Sequence, residues 1–95
     1  MATFALINYD TPGSLDLRMA TREAHLDYMR AHGEAIRLAG PFLDDGGAMS
    51  GSMILIEAPD LATAQRISAN DPYALAGLFE RREVRAVRIT MGAIA

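Results

Sequence analysis

Two short segments of the chain are apolar at every position rather than at alternate positions. They comprise residues 4–7 (Phe-Ala-Leu-Ile) and residues 53–56 (Met-Ile-Leu-Ile). Their length and their β-branched or aromatic neighbours predict strands. Successive residues of a strand point to opposite faces of its sheet. Both faces of the sheet that contains these strands therefore have to be covered, which is a strong restriction for a chain of 95 residues.

The predicted elements follow one another in the order β-α-β-β-α-β. Strands are predicted at residues 3–9, 35–43, 50–58 and 84–91, and helices at residues 15–32 and 60–69. Gly33 ends the first helix, Asp60 is the N-cap of the second, and Pro41 indicates an edge strand or a bulge. This is the ferredoxin-like arrangement: one α+β domain over residues 1–95, with a four-stranded antiparallel sheet and two helices on one face.

Two helices on one face leave the other face of the sheet without cover. A second copy of the same sheet would cover it, so we predict a homodimer with two-fold symmetry and sheet-to-sheet packing. We place the apolar C-terminal segment, residues 89–95, at the same contact. The alternative is a monomer with one apolar face.

Composition excludes several classes of function. The chain has no Cys and no Lys, which excludes disulfides, zinc–thiolate sites, thiol catalysis and Schiff-base chemistry. The formal net charge of −3 argues against nucleic-acid binding. No apolar stretch is long enough to cross a membrane, and no basic segment of a signal peptide is present, so a cytoplasmic location is expected.

The first helix carries a polar stripe beside apolar residues. Arg18, Arg22 and His25 are spaced by four and three residues, and therefore lie along one side of the helix. We expect this stripe to open onto a cleft at the edge between helix and sheet, with His25 as a general acid or base. The alternative is a histidine hydrogen-bonded at the border of the core. His32 lies two turns away, roughly 10 Å, and is interpreted as a cap or surface residue rather than as a second metal ligand.

A second candidate group follows the second helix. Asp71 could orient a histidine by accepting a hydrogen bond from one ring nitrogen. An Asp before Pro72 is also the usual start of a helix, and from spacing alone that interpretation is the stronger one. Tyr73 could donate its hydroxyl to a ligand or could simply pack in the core.

Taken together, these residues resemble the YciI-like (YCII-related) family over almost the whole chain. The resemblance is carried by Arg18, Arg22 and His25 on the first helix and by five further motifs. These are Ala39-Gly40-Pro41, Asp45-Gly46, Gly51-Ser52, Asn70-Asp71-Pro72-Tyr73 and Ala76-Gly77-Leu78-Phe79. It implies a dimeric α+β barrel, in agreement with the argument from the uncovered face of the sheet.

The resemblance also implies roles for particular residues. His25 and Asp71 match the family's His–Asp pair and are the predicted catalytic residues. Arg18, Arg22, Ser52 and Tyr73 are the predicted substrate-binding residues. The implied chemistry is elimination, isomerisation or hydrolysis of a small anionic, aromatic or enolisable molecule, without metal or organic cofactor. A dimer that binds or senses a small ligand without turnover, and an accessory protein to another protein, are the alternatives.

Overall fold

The computed structural model describes residues 1–92 and contains a four-stranded antiparallel sheet with helices packed on one face. The elements are β1 (Ala2–Asp10), α1 (Leu15–Ala31), β2 (Ile36–Leu43), β3 (Met49–Ala58), α2 (Leu61–Ala69), α3 (Pro72–Leu75) and β4 (Phe79–Val87). The strand order is β2-β3-β1-β4, with β1 and β3 in the centre. The predicted ferredoxin-like α+β fold is confirmed.

The core lies between the central strands and the helices. On this face Phe4 of β1 is opposite Ile56 of β3, and Leu6 is opposite Ile54. All four side chains are buried, and Ala64 of α2 packs against them. Because residues of a strand alternate between faces, the apolar residues between them point the other way. Those residues, Ala5, Ile7, Met53 and Leu55, are only half-buried.

The strand β2 lies at an edge of the sheet and is irregular, as the presence of Pro41 led us to expect. Within the described part of the chain it pairs only with β3, and its register shifts between Ile36 and Leu38 and again between Phe42 and Leu43. A proline is tolerated here because an edge strand need not donate all of its N–H groups. The Gly-rich turn that follows is closed by Asp44, whose carboxylate accepts the backbone N–H groups of Gly46 and Ala48.

The predicted position of the last strand is wrong. We expected residues 84–91, whereas β4 spans Phe79–Val87. The chain reverses at Gly77, which has a φ of 78°, and the strand begins two residues later. The predicted strand therefore omitted the charged residues at the start of β4, Glu80 to Glu83. They belong to an edge strand, where charged side chains are common because they prevent pairing with other chains.

The C-terminal residues 88–92 form neither helix nor strand. The predicted contribution of residues 89–95 to a dimer therefore concerns a segment whose last three residues lie outside the described part of the chain. Among residues 1–92, no helix is long and apolar enough to cross a membrane.

Candidate active site

His25 and Asp71 come together although 46 positions separate them in the chain. His25 projects from α1, and Asp71 is the N-cap of α3. The distance from His25 Nδ1 to Asp71 Oδ1 is 2.9 Å, and the two side chains are 12% and 5% exposed. The same carboxylate oxygen accepts the backbone N–H of Tyr73 at 2.9 Å. Asp71 is thus both the helix cap expected before Pro72 and the partner of His25.

This hydrogen bond determines which ring nitrogen of His25 is available for chemistry. A carboxylate is an acceptor, so the neutral imidazole donates Nδ1–H to Asp71. Its Nε2 then carries the lone pair and can accept a proton. A positive charge that develops on the ring is stabilised by the adjacent Asp71 carboxylate. The arrangement has the parts of a general base and the group that orients it.

Tyr73 connects the His–Asp pair to Arg18. Its ring stacks on the His25 ring, with a centroid distance of 4.1 Å and an interplanar angle of 16°. The guanidinium carbon of Arg18 lies 4.6 Å from the centroid of the same ring. Burial raises the pKa of the Tyr73 phenol, and the charges of Arg18 and Arg22 offset only part of this rise. Tyr73 is therefore a neutral phenol at neutral pH.

Arg18 is held by protein groups. Its side chain donates to both carboxylate oxygens of Asp10, at 2.7 Å and 3.0 Å, and to the carbonyl oxygen of Gly51 at 2.9 Å. Burial lowers the pKa of Arg18, but the hydrogen bonds and charge of Asp10, together with Tyr73, outweigh it and raise the pKa above its ordinary value. The bonds fasten α1 to the ends of β1 and β3. Asp10 lies just beyond the first strand as predicted from the sequence, and its pairing with Arg18 was not predicted.

A cleft of about 240 Å³ opens between α1, β2 and β3. It brings together five of the six predicted site residues. Its lining comprises Arg18, Arg22, His25, Leu26, Met29, Ala39, Gly40, Pro41, Met49, Ser52, Ile54 and Tyr73. Asp71 is absent from this wall and lies behind His25. Arg22 is exposed and has no ion pair within residues 1–92, so it is a cation at the cleft without a carboxylate partner.

One further polar side chain stands behind the cleft wall. Asn8 of β1 lies directly opposite Ser52 of β3, and its Nδ2 donates to the Ser52 hydroxyl at 2.9 Å. Both residues are almost fully buried, at 2% and 5% exposure. Asn8 was not among the residues predicted for the site. The available signal was its position at the end of an otherwise apolar run of alternate residues, Phe4 and Leu6.

Known proteins similar to this chain point to one family. The family model of the YCII-related domain matches residues 2–88. Protein YciI of Escherichia coli O6:H1 is 32% identical over 90 residues, which cover 86% of this chain and 92% of that protein.

Two solved structures show how far the similarity extends. The 5-chloro-2-hydroxyhydroquinone dehydrochlorinase TftG of Burkholderia phenoliruptrix AC1100, in complex with 2,5-dihydroxybenzoquinone, is 33% identical with a TM-score of 0.82, covering 95% of both chains. An antibiotic biosynthesis monooxygenase is 12% identical with a TM-score of 0.58 over 96% of this chain and 100% of its own, which shows the shared fold alone. The chain belongs to the YCII-related (YciI-like) family.

Proposed function

We propose that the protein is an enzyme that performs acid/base chemistry on a small, single-ring, anionic or enolisable substrate. The observation that carries this proposal is the hydrogen bond that Asp71 makes, from behind the cleft wall, to the cleft-lining His25. A surface histidine would not need a buried carboxylate to orient it. The pair leaves one ring nitrogen free to accept and return a proton.

In the proposed reaction, His25 Nε2 takes a proton from an acidic O–H or C–H group of the substrate. The electron pair that remains is delocalised onto a substrate oxygen, whose negative charge Arg22 stabilises. Asp71 stabilises the imidazolium until its proton is returned to the product or the leaving group. The chain's own side chains supply each of these steps.

We assign different roles to the two arginines. Arg18 is bonded to Asp10 and Gly51, so it is positioned to hold Tyr73 against His25 rather than to bind a ligand. Arg22 has no such partners within residues 1–92 and is the better candidate for the anionic group of the substrate. Tyr73, as a neutral phenol, can donate its hydroxyl.

The size and lining of the cleft favour a single substituted ring. An apolar cavity of about 150 Å³ is enough to hold benzene. The cleft here, about 240 Å³, combines apolar walls from Leu26, Met29 and Ile54 with the polar groups named above. The dehydrochlorinase TftG, whose structure contains 2,5-dihydroxybenzoquinone, supports an oxygenated aromatic ring as the substrate class.

The test uses 2,5-dihydroxybenzoquinone as a binding probe and chloride release from 5-chloro-2-hydroxyhydroquinone as an assay. We expect wild type to bind the probe and His25→Gln to lower kcat by about 10²–10⁴-fold, the usual contribution of a general base. His32→Gln is the matched control and should keep full activity. Full activity of His25→Gln contradicts the proposed base. If the protein binds the probe but turns over neither 5-chloro-2-hydroxyhydroquinone nor related oxygenated aromatic compounds, the non-catalytic ligand-binding dimer is favoured.

We also propose the homodimer predicted from the sequence. Its support is the helix-free face of the sheet, where Ala5, Ile7, Met53 and Leu55 lie beside the stacked rings of Tyr9 and Phe42. These rings have a centroid distance of 5.9 Å. A cytoplasmic location stays a prediction.

A further inference from the structure

The helix-facing ladder between β1 and β3 changes from apolar to polar at one point. Phe4 is opposite Ile56 and Leu6 is opposite Ile54, but the next pair on this face is Asn8 and Ser52. This change occurs where the cleft begins, since Ile54 and Ser52 both line it. Natural chains break a local pattern of this kind mostly at functional sites, because a buried polar pair stabilises the fold less than an apolar one.

The two side chains are not a self-contained structural pair. Asn8 Oδ1 is buried and has no hydrogen-bond partner among the described residues, which is a cost that an apolar residue would avoid. Asn8 Nδ2 donates to Ser52 Oγ, so the hydroxyl oxygen uses a lone pair as acceptor. Within residues 1–92, the Ser52 hydroxyl hydrogen donates to no protein acceptor. That hydrogen is therefore available to the cleft.

We infer that Asn8 is a positioning residue and that it keeps the Ser52 hydroxyl as a hydrogen-bond donor to an oxygen of the bound substrate. The inference rests on the proposed function and adds to it a preference for substrates that present a carbonyl or anionic oxygen to Ser52. A hydroxyl that already accepts one hydrogen bond is a stronger donor in the next, because hydrogen bonds in a chain polarise one another. Arg22 stabilises the negative charge of the substrate, whereas the Ser52 hydroxyl orients the substrate oxygen to which it donates.

The test is a double-mutant cycle on binding of 2,5-dihydroxybenzoquinone, measured by calorimetry. Ser52→Ala should weaken binding about tenfold, or about 1.4 kcal/mol. Asn8→Leu should weaken it several-fold in wild type, yet have no further effect in the Ser52→Ala background, because Asn8 acts through Ser52. Ser68→Ala is the matched control. Ser68 is also a buried serine that accepts a side-chain N–H, from Arg82, but it lies outside the cleft.

If the role of Asn8 were purely structural, Asn8→Leu would lower Tm. We expect instead an unchanged or raised Tm together with weaker binding, because Leu continues the apolar ladder and removes the unpartnered oxygen. If this variant fails to fold, the wild-type Asn8 side-chain amide signals in NMR provide a second test. They should shift when the probe binds to wild type and stay unchanged when it is added to Ser52→Ala.

Three results would overturn the inference. Equal affinity of Asn8→Leu and wild type excludes a positioning role for Asn8. Equal affinity of Ser52→Ala and Ser68→Ala excludes Ser52 as a donor. Both of these results leave wild-type binding intact, so they overturn the inference alone. If wild type itself does not bind the probe, the proposed substrate class fails and the inference fails with it.

Discussion

Asp71→Asn perturbs the candidate site with little change in shape. Asparagine is also a good N-cap residue, so it can still accept the Tyr73 N–H at the start of α3. What is lost is the negative charge beside His25. The substitution therefore separates the two roles of Asp71, the helix cap and the partner of the imidazole.

The expected magnitude follows from the geometry of the bond. A hydrogen bond to a charged group contributes about 1.5–3 kcal/mol, and the side chains of His25 and Asp71 are only 12% and 5% exposed. A preference of about 2 kcal/mol keeps the Nδ1–H form of neutral His25 in excess by about 30-fold. A neutral acceptor contributes about 1 kcal/mol, which reduces the excess to about fivefold. A stability loss of about 1 kcal/mol would lower Tm by about 4–8 °C.

The assay is NMR of the imidazole ¹⁵N nuclei, which distinguishes a protonated ring nitrogen from an unprotonated one. His32 provides an internal reference, since it packs on Tyr28 and has no carboxylate partner in the described structure. Asp60→Asn is the control variant, because Asp60 caps α2 through the Thr63 N–H and has no hydrogen bond to either histidine in the described structure. An unchanged ratio of the two neutral His25 tautomers in Asp71→Asn would refute the reasoning, as would a wild-type His25 with no preferred tautomer.

Three further results are expected. Arg18→Met should lower the free energy of unfolding in urea by about 3–5 kcal/mol because it leaves Asp10 buried without its partner. The double variant Asp10→Asn/Arg18→Met should regain part of the lost free energy. A loss below about 1 kcal/mol in Arg18→Met would contradict a buried pair. Because burial raises the pKa of Tyr73, its contribution to stability is complete below the ordinary value of 10.0 and is lost as pH rises through the raised pKa. Thermal unfolding from pH 9 to 12 should show a smaller alkaline loss in Tyr73→Phe than in wild type, and identical profiles would exclude this contribution. Light scattering at micromolar concentration should give about twice the chain mass of 10.3 kDa, and a monomer would contradict the proposed sheet-to-sheet dimer.

The sequence predicted most of the fold because its local signals agree. The boundaries of the helices were marked locally, by Gly33 and Asp60, because a glycine tends to end a helix and an aspartate to cap one without tertiary information. The start of β4 was missed because the sequence of a charged edge strand resembles the sequence of a loop. Only the pairing of Phe79 with Asp10 shows where that strand begins.

The candidate site could be predicted only in part. Helical periodicity placed Arg18, Arg22 and His25 on one side of α1, since a helix has a known repeat. No periodicity relates His25 to Asp71, because they meet through the packing of α1 against α3. Family resemblance, rather than spacing, connected them before the structure did.

What the sequence by itself determined is therefore local: the types and order of the main elements, and which side chains share a face within the first helix and the two central strands. What only the tertiary structure decided is which polar groups satisfy one another. It bonds Arg18 to Asp10 and leaves Arg22 without a carboxylate partner in the described structure, although the two arginines are one helical turn apart. It also sets Asn8 behind Ser52. The physical reason is that a buried hydrogen bond depends on separations of about 3 Å between distant segments, which local propensity does not encode.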